Sequence, residues 1–199
     1  MKAILILFAF FITKISFADS PLTSTSLHRG YEDNALVQAA IKTKTISKAQ
    51  YKFFVSDAPL PEKLAVISAF GWGNEGSTIV KDLTAEFIKV RKGEENFISD
   101  DYFVLAYAQG LEDYFDMSKV FNNYISKIDL KNEKRESAYW VMHLCNMQHL
   151  LDDQSQWCQI YKAYQMVKNM TTLVRDMKEI TLKEGIYSYL DIYAGTCTE

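Results

Sequence analysis

The sequence predicts an all-α protein, and three observations lead to that class. The three prolines are Pro21, Pro59 and Pro61, so the long stretch that follows contains none. Apolar residues in that stretch recur at every third or fourth position, as they do on one face of a helix. Turn residues are also too sparse for the many chain reversals that a β-sandwich of this length would need.

Four apolar stripes mark the predicted helices. Ser77 is placed to cap the first of them and Ser99 to cap the second. Asp100 and Asp101 fall in the first turn of the second helix, where the helix dipole favours negative charge. Each stripe predicts a helix that packs through one face. In chain order the stripes are Ile79, Leu83 and Phe87; Phe103, Tyr107 and Leu111; Val120, Tyr124 and Ile128; and Trp157, Ile160, Tyr161 and Tyr164.

A looser repeat suggests how these helices are arranged. Similar apolar segments open at Leu64, Tyr102 and Tyr139, which are 38 and 37 residues apart. Each segment begins a predicted helix, which is followed by polar or glycine-rich residues and then by a second amphipathic helix. This spacing fits antiparallel helical hairpins stacked side by side, as in α-solenoid repeats. Three such hairpins also fit an irregular helical bundle, and the sequence leaves both packings open.

The first 18 residues predict a cleaved secretory signal peptide. Lys2 gives a positive start, Ala3–Ile12 is an uninterrupted apolar run, and Ser16 and Ala18 are the small residues of a cleavage site. Because a bilayer-spanning helix needs about 20 apolar residues, we expect no stable membrane anchor. We therefore expect the mature chain in the periplasm or outside the cell. Residues 19–30 predict a flexible leader, and residues 31–199 a single all-helical domain.

The charge balance excludes some partners. The formal net charge is −3, and loss of Lys2 and Lys14 with the signal peptide would make it −5. Nucleic acids and anionic membranes are bound through clustered lysine and arginine side chains. We therefore expect neither as a partner, whereas an acidic face that meets a basic protein is compatible with this composition.

The cysteines predict a disulfide between Cys145 and Cys158. These residues lie near the end of one predicted helix and the start of the next, and such positions face each other in an antiparallel hairpin. An exported protein also meets an oxidising compartment, in which the bond would persist. The alternative is a pair of buried free thiols. Cys197 is left as either a free thiol or a partner of one of the other two.

We find no motif for catalysis, for a metal or for a cofactor. His143 and His149 are six residues apart on one helix, whereas ligands that share a helix face are three or four apart. No Gly-x-Ser-x-Gly nucleophile elbow is present. Paired acids such as Glu112 and Asp113 fall at predicted helix ends, where acids cap the helix or remain solvated. We therefore expect a protein that is not an enzyme and needs no cofactor or metal.

The stretch Gly71–Ser77 is the one glycine-rich loop. A phosphate-binding loop would carry a lysine beside its capping serine, whereas Thr78 follows here. One interpretation is a hairpin turn whose tryptophan packs on neighbouring helices. The other is a protruding loop that binds a protein partner, because loop aromatics often anchor interfaces. The candidate partner-binding residues are Trp72, Gly73, Asn74 and Glu75.

One segment carries a family resemblance. Asp101-Tyr-Phe-Val-Leu-Ala resembles a helix of the periplasmic immunity proteins that protect bacteria from peptidoglycan-amidase effectors of the type VI secretion system. A signal peptide, a small acidic helical body and a disulfide add to this likeness. The resemblance implies a protein that binds its cognate toxin and occludes the active-site cleft, often through an inserted loop. Gly71–Ser77 would then be that loop.

Three functions therefore remain open at the level of the sequence. The first is an exported protein-binding module, such as an immunity protein. The second is a helical-repeat scaffold of the cell envelope, and the third is a cell-wall enzyme of unrecognised type. A deep pocket with converging polar groups would favour the enzyme. The expected partner is another protein, and self-association into a homodimer is also open.

Overall fold

The computed structural model describes residues 20–73, 77–151 and 156–197. The predicted signal peptide lies outside these residues. Within them the chain is helical and has no β-strand, although an isolated bridge joins Arg135 and Val174. The predicted all-α class is therefore confirmed. The helices are α1 (Pro21–Ser24), α2 (Ala35–Thr43), α3 (Lys48–Phe54), α4 (Leu60–Phe70), α5 (Ile79–Arg91), α6 (Ser99–Glu112), α7 (Met117–Asn123), α8 (Glu136–Leu150) and α9 (Trp157–Lys168).

A C-terminal helical segment follows α9 and changes its hydrogen-bond pattern twice. It begins with π-helical turns at Thr181–Tyr187, continues as α10 (Ser188–Leu190) and ends as a 3-10 helix at Asp191–Thr196. Leu182, Ile186, Leu190 and Tyr193 of this segment are buried, and it packs against both α9 and α1. The two ends of the described chain are therefore brought together.

The predicted stripes lie on helices, with one break. The first, second and fourth stripes fall on α5, α6 and α9, and their residues are buried or half-buried. Ser77 supports the start of α5, because its Oγ accepts the N–H of Ile79 at 3.3 Å. The third stripe is interrupted at Tyr124, whose φ of −127° and ψ of −60° end α7. A 3-10 turn at Ile125–Lys127 then carries the stripe onward.

Helix α6 lies at the centre of the molecule. It packs against α4, α5, α7 and α8. Phe103 and Tyr107 lie on one face of this helix, and both are fully buried. Val104 and Leu105 lie on other faces and are also fully buried, so α6 is covered on several sides. The single apolar stripe read from the sequence therefore underestimates how much of this helix is core.

The helix contacts bear on the choice between a solenoid and a bundle. The opening helices of the three predicted hairpins are α4, α6 and α8, and they lie side by side in that order. In a solenoid each unit contacts only its sequence neighbours. Here α4 also contacts α8, and α1 covers both α6 and α8. These extra contacts favour an irregular bundle around α6.

The described part of the predicted leader, residues 20–30, packs on the core of the domain. Leu22 and Leu27 are fully buried in the same apolar cluster as the rest of the core. A Cβ atom at Gly110 would lie 2.6 Å from Cδ2 of Leu22, so the glycine lets this leucine side chain pack directly on α6. Breaker residues limit helix length in this segment, but its two leucines anchor it.

A network of ion pairs, here called the charged end, closes the N-terminal end of α6. Asp101 is fully buried and receives two hydrogen bonds from Arg91, at 2.9 Å from Nε and 3.2 Å from Nη2. The same carboxylate accepts the N–H of Ile98 at 3.1 Å, which caps the helix. Arg135 bonds Asp100 at 2.5 Å and Glu133 at 2.6 Å. The polar groups of this end are therefore paired within the fold.

Candidate protein-binding surface

Three aromatic side chains at the opposite end of α6 form a surface that we call the aromatic cluster. It consists of Trp72, Tyr114 and Phe115. The rings of Trp72 and Tyr114 are 5.7 Å apart and nearly perpendicular, and those of Tyr114 and Phe115 are 4.2 Å apart. Trp72 is 53% exposed and Phe115 is 77% exposed, the largest value for a large apolar side chain in the described ranges. The cluster thus presents its rings to solvent.

Two loops position the cluster, and hydrogen bonds hold them together. The N–H of Gly73 donates to the carbonyl of Leu111 at 3.3 Å. Ser77 Oγ donates a hydrogen bond to Glu112 Oε1 at 2.6 Å. Glu112 Oε1 also accepts the N–H of Val80 at 3.1 Å. Glu112 therefore joins the end of α6 to the first turn of α5, where negative charge is favourable. These bonds fix the loop after α4 beside the loop after α6.

The predicted partner-binding loop is partly placed by the structure. Trp72 and Gly73 are exposed, and the tryptophan packs against Tyr114 instead of entering the core. Gly73 has a φ of +65°, which a residue with a side chain rarely adopts. Asn74 and Glu75 lie outside the described residues. Sequence reasoning missed Tyr114 and Phe115, although an adjacent aromatic pair between two predicted helices is a signal for an exposed turn.

Acidic residues flank Tyr114 and Phe115 in the sequence. Residues 112–119 include Glu112, Asp113 and Asp116 against the single cation Lys119, a formal charge of −2. Lys119 Nζ lies 3.0 Å from Asp113 and 3.1 Å from Asp116. The hydrogen bond to Asp113, followed by that to Asp116, raises the pKa of Lys119 above its ordinary value. Asp113 and Asp116, here called the acidic rim, therefore keep a net negative charge beside Lys119, while Lys44 Nζ lies at the other loop, 3.2 Å from the carbonyl of Ala69.

The space beneath this loop is too small for a ligand. Ile67, Phe70, Ala108 and Leu111 are among the residues that line it, and its volume is about 10 Å³. A cavity of that size holds at most about one water molecule. The loop after α4 therefore lies on packed core, and the aromatic rings face outward from a firm base.

The predicted disulfide between Cys145 and Cys158 is wrong. Cys158 pairs with Cys197, with Cα atoms 4.8 Å apart, while Cys145 is a buried free thiol. Cys158 is half-buried in the first turn of α9, and the C-terminal 3-10 helix packs on α9 and brings Cys197 to it. Cys145 instead points into the core. The sequence spacing gave the helix ends correctly but not the face on which Cys145 lies.

The environment of Cys145 makes its thiol unreactive. Burial raises the pKa of this thiol to about 12, because no charge partner offsets the loss of solvation. The thiolate, which is the nucleophilic form, is therefore scarce at neutral pH. The described residues also contain no group of three histidine, cysteine, aspartate or glutamate side chains that could hold a metal ion.

His143 is a half-buried histidine near the middle of α8. Its ring stacks on that of Tyr139, with centroids 6.2 Å apart. Within the described part of the chain its Nδ1 has no hydrogen-bond partner. Burial lowers the pKa of His143 below its ordinary value of 6.5. The geometry fits a neutral packing residue.

None of the helices that the structure describes is long and apolar enough to cross a membrane. The chain matches no protein-family model, and no curated protein or solved structure matches it significantly.

Proposed function

We propose that this chain is an exported, non-enzymatic protein-binding module whose partner docks on the aromatic cluster. The observation that carries the proposal is the exposure of Trp72 and Phe115 on two loops that hydrogen bonds hold in place. Tryptophan and tyrosine are enriched among the residues that dominate binding energy. Burial of exposed aromatic area is favourable, and rings that are already fixed lose little entropy on binding.

The acidic rim supports a partner with a basic surface. Asp113 and Asp116 lie on either side of the two aromatic residues of this turn, and Lys119 neutralises only part of their charge. Arginine and lysine side chains of a partner would meet these carboxylates and also stack on the rings. A second copy of the chain would bring like charges together, so the rim disfavours a homodimer through this surface.

Two features support export. Residues 1–18 have the pattern of a signal peptide, and the Cys158–Cys197 pair is a bond that persists in oxidising compartments. In this proposal the module works in the periplasm or outside the cell.

We further propose that binding occludes a site on the partner, as in the immunity proteins that the sequence resembles. The segment that carries the resemblance, residues 101–106, lies in α6 and is mostly buried. It therefore belongs to the scaffold, and the surface that would enter a partner's cleft is the aromatic cluster. In this proposal the cognate partner is a periplasm-acting toxin with a basic cleft.

The test is a quantitative capture experiment with three immobilised proteins. These are the unchanged chain, the Trp72→Ala/Phe115→Ala variant and the control Met166→Ala, whose target side chain is 50% exposed on α9. Extracts of the natural source are passed over each, and retained proteins are quantified by mass spectrometry. Any stoichiometric partner is then purified, and its affinity is measured by calorimetry.

The expected result is one basic partner that binds the unchanged chain and the control. Its dissociation constant should rise at least about 30-fold with the double variant, since loss of a hot-spot side chain costs about 2 kcal/mol or more. Several envelope components that bind all three baits equally would instead support a scaffold. A purified partner that binds the double variant as tightly as the unchanged chain would contradict the proposed surface.

A further inference from the structure

A second surface feature lies between α7 and α8 and shares no residue with the aromatic cluster. It is an open depression of about 350 Å³, which falls within the range of about 300–1,000 Å³ for small-molecule sites. We call it the α7–α8 depression. Its lining residues are Ser118, Phe121, Asn122, Asn146 and His149.

Helical spacing brings these five residues together. On α7, Phe121 and Asn122 follow Ser118 by three and four positions. On α8, His149 follows Asn146 by three positions. Residues with this spacing share a helix face. Because α7 and α8 pack against each other, the two faces meet along one side of the depression. The Phe121 and His149 rings are 5.9 Å apart in an edge-to-face contact, which orients the phenylalanine ring.

The chemistry of the lining defines the class of ligand. Each of the two asparagine amides offers two N–H donors and one carbonyl acceptor, and within the described residues neither amide has a protein hydrogen-bond partner. The described lining also contains no lysine, arginine, aspartate or glutamate. Such side chains would give a charged ligand its strongest hydrogen bonds. The site therefore suits a neutral ligand rich in groups that both donate and accept hydrogen bonds.

We infer that the α7–α8 depression binds a neutral sugar. Sugar hydroxyls donate and accept, so they complement Ser118 and the two amides. The C–H face of a pyranose ring carries slight positive charge and complements the negative face of Phe121. An extended peptide needs a longer groove with pockets for alternate side chains. The depression has room for a monosaccharide or a disaccharide.

The test uses saturation-transfer difference NMR on the purified folded chain. The probes are the neutral disaccharides cellobiose and N,N′-diacetylchitobiose, with glucuronic acid, glucose 6-phosphate and tetraglycine as comparators. The variants are Asn122→Ala, Asn146→Ala and Phe121→Leu, and the matched control is Asn123→Ala, which removes the neighbouring exposed amide. Circular dichroism and thermal unfolding verify that each variant is folded.

We expect saturation transfer to at least one neutral disaccharide, with affinity unchanged in Asn123→Ala. Each lining variant should weaken that affinity about fivefold or more, as loss of one hydrogen bond or ring contact does. Absence of transfer to both disaccharides would overturn the inference, as would transfer that all three lining variants leave unchanged. Stronger binding of tetraglycine or of a charged sugar would overturn the assigned ligand class.

Discussion

The two ends of α6 differ in what their functional groups contact. At the charged end, Asp101 is fully buried and its carboxylate bonds Arg91 and the backbone of Ile98. At the other end, Phe115 is 77% exposed. Its ring contacts that of Tyr114, which in turn contacts the exposed ring of Trp72. Both ends contain acids and loops, but one directs its groups inward and the other directs them to solvent.

Mutations at the two ends should therefore affect different properties, folding stability at the charged end and partner binding at the aromatic cluster. Removing one partner of a buried ion pair leaves the other partner's charge without compensation. Mutations at the charged end should therefore lower the free energy of unfolding. Removing an exposed ring leaves no such charge and no cavity. Mutations in the aromatic cluster should therefore lower the affinity for the partner and leave the free energy of unfolding nearly unchanged. The following predictions test that separation, in order of decreasing effect.

The largest effect is expected for Asp101→Asn. The amide keeps an acceptor for the helix cap but removes the charge that accepts two hydrogen bonds from Arg91, whose side chain is 20% exposed. The free energy of unfolding should therefore fall by about 2–3 kcal/mol. Urea titration measures this change. The matched variant Asp113→Asn removes a carboxylate from an exposed pair at the other end and should cost less than about 1 kcal/mol. Equal losses in the two variants would abolish the distinction between the ends.

The second prediction concerns Phe115→Ala. Its free energy of unfolding should change by less than about 0.5 kcal/mol, because the ring is mainly in solvent. Its affinity for the captured partner should fall by about 2 kcal/mol, or about 30-fold. Urea titration and calorimetry on the same preparation give both values. A variant that unfolds as easily as Asp101→Asn would show that this ring supports the fold.

The third prediction uses pH to test the region between the ends. Burial lowers the pKa of His143 below 6.5, so the unfolded chain takes up a proton that the folded chain resists. The stability that His143 contributes is therefore fully present above pH 6.5 and is lost as the pH falls below that value. Burial also lowers the pKa of His28, so His143→Gln should reduce this slope in urea titrations across that range without removing it. The matched variant His149→Gln makes the same substitution at an exposed position of the same helix and controls for the change of side chain.

The smallest effect is expected from salt. If the partner is basic, raising ionic strength from about 0.05 M to about 0.5 M should weaken its affinity severalfold, because rim charges are screened. The double variant Asp113→Asn/Asp116→Asn should reduce this dependence. Calorimetry at several salt concentrations measures both. An affinity that rises with salt would indicate a partner that is apolar or acidic at the contact.

The helices could be predicted from the sequence, but the contacts between residues far apart in the chain could not. Proline distribution and apolar periodicity are local properties, and they predicted the fold class and three of four stripes. The burial of Leu22 depends on contact with Gly110 and could not be read from the breaker-rich composition around it. Likewise the disulfide depends on where the C-terminal segment returns to α9, and helix-end spacing says nothing about that.

The candidate surface was predicted in part for the same reason. The glycine-rich loop was visible as a motif, so Trp72 was identified from the sequence. Tyr114 and Phe115 are about 40 positions away, and only the packing of α4 and α6 side by side brings them to it. The contact of Arg91 with Asp101 was equally hidden, because it joins two helices across a turn.

The most direct test of the central claim is to measure unfolding and partner binding together for Phe115→Ala and Asp101→Asn. If the aromatic cluster is the binding surface, Phe115→Ala unfolds like the unchanged chain and loses the partner. Asp101→Asn should be far less stable but, under conditions in which it remains folded, should bind the partner with unchanged affinity. Retention of full affinity by Phe115→Ala, measured with the purified partner, would contradict the claim that the aromatic cluster is the binding surface.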